Sequence, residues 1–123
     1  MEATFLISEI SKLTGLGYDT IRYYEKIGLL KTEKRKVSGR REYNKLDLEC
    51  LIFITHLKRT NMTLKEIEVL MSKVSTENYA NCYSILCDHK LKIESQIEEM
   101  NATLGIINNK INHFKNLIKN NND

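Results

Sequence analysis

A mainly α-helical chain in two parts is predicted by three observations. Proline, the strongest helix breaker, is absent from all 123 residues, and there are only five glycines. Two short amphipathic patterns flank the Gly15-Leu16-Gly17 turn near the N-terminus. From Tyr79 onward, apolar residues return at alternating steps of four and three almost to the end. The length suits one compact domain plus an appendage.

The first amphipathic pattern places Ile7, Ile10 and Leu13 on one side, with Ser8 as the expected N-cap. The second, after the glycine turn, places Ile21, Tyr24 and Ile27 inward at spacings of three. Thr20, Arg22, Tyr23 and Lys26 are left outward, a set that can donate hydrogen bonds to phosphates and base edges. Gly28 is the expected stop. Helix, three-residue turn, helix with a polar outer face is the sequence shape of a helix-turn-helix.

Thr4-Phe5-Leu6-Ile7 has strand propensity but is short enough only for an edge piece. After the second helix, Lys31 to Lys36 is polar and basic, Val37-Ser38-Gly39 reads as a turn tip, and Arg40-Arg41-Glu42-Tyr43 leaves it extended. A basic hairpin at this place is a wing, whose arginines can reach phosphates or a narrow minor groove. Asn44 then caps a third helix carrying Leu48, Leu51, Ile52, Ile54 and Leu57. Thr63-Leu64-Lys65-Glu66 reads as a capping box opening a fourth, with Ile67, Leu70 and Met71 on its apolar side. Net charge is only +3, yet Arg22 to Lys45 holds nine Lys or Arg against three Glu. A basic patch coinciding with a helix-turn-helix is the electrostatic footprint of a nucleic-acid face.

The last segment carries Tyr79, Tyr83, Leu86, Ile93, Ile97, Met100, Leu104, Ile107, Ile111, Phe114 and Ile118 in heptad spacing, interrupted only by Lys90. Some forty residues of helix would run about 60 Å, too far for a small domain to cover. The simplest partner is a second copy, so a homodimer is expected. The boundaries that follow are a DNA-binding domain over 1–75, a dimerisation coiled coil over 76–119 and a flexible tail over 120–123.

Ile21-Arg22-Tyr23-Tyr24-Glu25-Lys26-Ile27-Gly28-Leu29-Leu30, then Arg41-Glu42-Tyr43, then Asn61-Met62-Thr63-Leu64-Lys65-Glu66-Ile67 resembles the MerR (mercury-resistance regulator) family of transcription factors. These motifs stand in the family's order over residues 4 to 72, in a short form without a large effector-binding domain. By position on the second helix, Thr20 and Arg22 are expected to read bases and Tyr23 to meet phosphate, while the resemblance implies a phosphate contact by Lys58 and a wing contact at Arg41 supported by Tyr43. Tyr18 and Arg40 complete the expected DNA-binding set. It further implies an antiparallel dimer on a pseudo-palindromic promoter, distorting the DNA so that RNA polymerase engages it. Two positions depart from the pattern: Asn61 replaces a usual glycine, and Gly17 a usual Ser or Thr cap. Asparagine tolerates a left-handed backbone, and glycine is an acceptable cap, so the fold survives both.

The effector is not legible. Cys50, Cys82 and Cys87 are an odd, sparse set, against a disulfide framework but open to a thiol sensor. Cys82 lies where metal-sensing relatives place one thiolate. Cys82 and Cys87 sit about 140° apart on a helix, and no cysteine follows, so no metal site or cofactor is assigned. No carboxylate pair, nucleophile with base or phosphate-binding loop suggests an enzyme. No apolar run approaches a membrane span and no signal-peptide pattern is present, so a soluble, cytoplasmic protein is expected. The alternative reading is an excisionase-like accessory or architectural factor, or a coiled-coil adaptor, that senses nothing.

Overall fold

The computed structural model describes residues 4–30, 36–37 and 40–121. In chain order the elements are β1 (Thr4–Leu6), α1 (Ile7–Thr14), α2 (Tyr18–Lys26), β2 (Lys36–Val37), β3 (Arg40–Asn44), α3 (Lys45–Arg59), α4 (Leu64–Ser75) and α5 (Tyr79–Asn121). The expected basic segment over 31–35 and turn tip at Ser38-Gly39 lie outside the described residues. The chain divides into two units, Met1–Cys82 and Tyr83–Asp123.

In the first unit, β1 and β2 both pair antiparallel with β3, in the order β1-β3-β2, so the N-terminal strand is the edge piece the sequence suggests. Ile10, Ile21, Tyr24, Tyr43, Leu51, Ile54, Ile67 and Leu70 form the fully buried core. These residues come from α1, α2, β3, α3 and α4, so every element of the unit longer than three residues contributes.

Three inward assignments are corrected. Leu13, in the last turn of α1, is 58% exposed. Ile52 is also exposed, on the flank of α3 away from Leu51 and Ile54. Ile27 is only half-buried, just beyond the end of α2.

Ser8 is not the cap of α1. The strand runs straight into the helix at Leu6, leaving no residue for a hydroxyl cap, and Glu9 reaches back instead: the Leu6 N–H donates to its carboxylate at 3.0 Å. The turn that follows is held by side chains. Ser11 Oγ donates to the Leu16 carbonyl at 2.6 Å, and Thr14 Oγ1 accepts from the Leu16 N–H at 3.2 Å. Gly15 supplies the left-handed backbone there, at φ +77°. Gly17 caps α2 without a side-chain acceptor. The caps expected of the next two helices form as reciprocal pairs. Asn44 and Asp47 exchange two hydrogen bonds of 2.8 Å, and Thr63 and Glu66 two of 3.1 Å.

Three helices stop in the same way. Leu29 N–H donates to the Tyr24 carbonyl, Met62 N–H to Leu57 and Asn78 N–H to Lys73, each bond spanning the last turn, at 2.9, 3.0 and 2.9 Å. The residue before each donor adopts the left-handed conformation such a stop requires: Gly28, Asn61 and Glu77. Asparagine accommodates φ +70° at Asn61, as expected, but Glu77 at φ +57° carries a Cβ penalty with no local compensation of that kind. Glu77→Gly therefore raises the stability of the unit by about 0.5–1 kcal/mol. Denaturant melts measure this, and an unchanged or lower midpoint would contradict it.

The second unit is the remainder of α5, a helix of 43 residues counted from Tyr79. It continues through Asn120 and Asn121, where a frayed tail is expected, because nothing in those residues breaks the backbone ladder. The seam residues Ile97, Met100, Leu104, Ile107, Ile111, Phe114 and Ile118 are about half exposed or more. No helix among the described residues is long and apolar enough to cross a membrane.

Candidate nucleic-acid interface

Two buried side chains set the orientation of α2. Ile21 and Tyr24 are held in the core, and the helical period then turns Arg22 and Tyr23 outward. Tyr18 and Tyr23 are each nearly half exposed, Arg22 and Lys26 are exposed, and Thr20 is half-buried. Asp19 in the first turn complements the positive end of the helix. The face thus offers two phenols, a guanidinium and an ammonium, all competent donors to phosphate or base edges.

Two contacts tie this helix to its neighbours. Tyr43, fully buried on β3, donates its phenol O–H to the half-buried carboxylate of Glu25 on α2. Tyr43 therefore sits inside the fold and not on its surface. The ammonium of Lys58 on α3 lies over the Tyr24 ring, 5.9 Å from its centre. At an exposed lysine this interaction contributes about 0.5–1 kcal/mol, enough to bias the side chain without removing it from solvent. Arg40 and Arg41 lie on β3, where they register with Val37 and Lys36 of β2. The hairpin therefore rises from the strand that holds Tyr43, beside α2.

All three cysteines are free thiols. Cys50 donates its thiol to the Leu29 carbonyl at 3.6 Å, and burial, reinforced by the Asp47 carboxylate, pushes its pKa up to about 11. At neutral pH only about one such thiol in ten thousand is a thiolate, the form that reacts or binds metal. Cys82 is buried and Cys87 half-buried. Among the described residues, no three His, Cys, Asp or Glu side chains converge as a metal-holding group.

Residues 5–74 match the family described as MerR HTH family regulatory protein, more than half of the chain. The chain belongs to the MerR family. Among curated relatives, it is 30% identical to an HTH-type transcriptional regulator of Bacillus subtilis, YyaN, over 94% of each chain. It is 36% identical to a probable heavy metal-dependent transcriptional regulator of Haemophilus influenzae, over 76% of this chain and 75% of that one. Among solved structures, HiNmlR, a MerR family regulator lacking the sensor domain and bound to promoter DNA, superposes with a TM-score of 0.76 at 26% identity. That match covers 84% of this chain and 80% of HiNmlR.

As a MerR-family transcriptional regulator, the chain carries its helix-turn-helix within residues 5–74. One residue of α2 escaped the sequence reading. Glu25 lies inside a basic stretch, between Tyr24 and Lys26, where a carboxylate opposes phosphate binding. That mismatch of sign was the available signal, but its partner is eighteen residues away and no local pattern names it.

Proposed function

We propose that this MerR-family regulator acts as a homodimer on a pseudo-palindromic promoter site and controls transcription by distorting the DNA in response to a signal. The observation that carries the dimer is the apolar seam of α5, more than twenty residues of helix whose large side chains find no cover within their own chain. Charge supports an antiparallel pairing. Residues 83–102 hold four acidic residues and two lysines, whereas residues 103–121 hold Lys110, Lys115 and Lys119 and no acid. Parallel copies would set like charges side by side, and antiparallel copies set opposite ones together.

In such a dimer, residues 1–75 supply the DNA-binding part, and Thr20, Arg22, Tyr23 and Tyr18 meet the major groove. Arg40, Arg41 and Lys58 reach the backbone, and RNA polymerase is the partner that benefits from the bend. Cys87, half-buried on α5, is the cysteine best placed to report a thiol-reactive signal. Cys50, held as a neutral thiol, is the worst.

Footprinting on the DNA upstream of its own gene tests the reading, with and without a thiol-blocking reagent. A symmetric protected region of two half-sites, with enhanced cleavage at its centre, is the expected result. Loss of the enhancement on blocking, with protection kept, assigns the signal to a thiol. Protection of one half-site only, from a monomer, would favour the accessory-factor reading.

A further inference from the structure

We infer that Glu25 and Tyr43 form a clamp that fixes the wing against the recognition helix, so that an acidic residue on the DNA-facing helix strengthens DNA binding. The inference rests on the assignment of α2 and β3 to the DNA face. Among the described residues, β2 is two residues long and meets β3 in the pairs Lys36↔Arg41 and Val37↔Arg40. A hairpin this short is not stable in isolation, so its direction is set at its root. That root is Tyr43, two residues from Arg41 on the same strand, with a ring that is fully buried. Its phenol O–H ends on the Glu25 carboxylate, one helical turn from Arg22 on α2. One hydrogen bond thus connects the turn of α2 that carries Arg22 to the strand that carries Arg40 and Arg41.

A carboxylate at this place has an electrostatic cost. Exposed to the duplex, it would repel phosphate, and a basic face gains by losing it. Its half-burial and its bond from Tyr43 give it a different use, as the acceptor that sets the spacing between two groups of cations. Cations held at the spacing of the backbone phosphates release counterions together. Cations on an unfixed hairpin give up ordering entropy when they bind.

The two accounts of Glu25 predict opposite signs. The test measures the affinity of the full chain for a 30-base-pair duplex of mixed sequence across a salt series, for the native chain, Glu25→Ala, Glu25→Gln and Tyr43→Phe. The clamp predicts that Glu25→Ala binds about tenfold more weakly despite removing a negative charge, and that its salt slope falls by about one to two phosphates. Tyr43→Phe keeps its buried ring and removes the hydroxyl that donates to Glu25, so it should reproduce both changes. Glu25→Gln keeps an acceptor and should retain the native slope.

All variants are compared well below their melting temperatures, so a purely structural loss would leave the slope unmoved. Tighter binding by Glu25→Ala, or native slopes in both Glu25→Ala and Tyr43→Phe, overturns the clamp. Absence of salt-dependent binding by the native chain would instead overturn the assignment of the DNA face, and so separates the two failures.

Discussion

Ile107→Asp is expected to turn the proposed dimer into a monomer and to weaken its binding to a two-half-site promoter by at least about a hundredfold. Ile107 occupies a seam position of α5 and is half exposed in the single chain, so the substitution removes nothing on which one chain's fold depends. In the paired helix the same position faces apolar side chains of a second copy. There an aspartate must either remain charged in a dry seam or take up a proton, and both cost several kcal/mol per copy. DNA affinity follows because two linked half-site contacts exceed one by roughly 10² to 10⁴. Sedimentation velocity together with a promoter titration measures both effects. A variant that still sediments as the native dimer would remove α5 as the pairing element.

Ile21→Ala lowers the melting temperature of the helix-turn-helix unit by about 10 °C or more while leaving the pairing of α5 intact. Ile21 is fully buried on the inner face of α2, and its truncation leaves a cavity costing about 2–5 kcal/mol. A unit of this size holds only on the order of 4–12 kcal/mol, and each kcal/mol moves the midpoint by about 4–8 °C. Ile21 lies in the first unit, Met1–Cys82, so the loss is expected there. Calorimetry reads the shift, and sedimentation at low temperature reads the dimer. A midpoint shifted by less than about 3 °C would show that Ile21 does not anchor the recognition helix.

Features encoded within a few residues were legible before the structure. Gly28, Asn61, the Asn44 cap and the Thr63–Glu66 box act through bonds between near neighbours, and each forms as its sequence suggests. The two faces of α2 were legible because helical period alone separates Ile21 and Tyr24 from Arg22 and Tyr23. Leu13 was misplaced because an apolar stripe records which side of a helix turns inward, and not how far the neighbouring elements extend to cover it. Ser8 was misplaced because β1 and α1 abut without a linker, a fact of sheet pairing rather than of composition. The Glu25–Tyr43 bond was out of reach for a related reason: it joins a helix to a strand that no intervening pattern brings together. Cys50 shows the same limit in chemical form, because its raised pKa comes from burial and a neighbouring carboxylate and not from its sequence context.

If α5 pairs with a second copy as proposed, its far half makes cellular abundance a structural variable. Residues 101–121 include seven asparagines and Gly105, carry no acidic residue to pair with their lysines, and are exposed throughout. Asparagine and glycine rank among the poorer helix formers, and even favourable sequences of this length are marginal as solitary helices in water. Pairing and helix formation in this stretch are then one event. A cell holding few copies would hold chains whose last twenty residues are unwound and open to proteases, whereas plentiful copies protect one another. The amount of regulator would be limited from below by its own folding, before any signal is sensed.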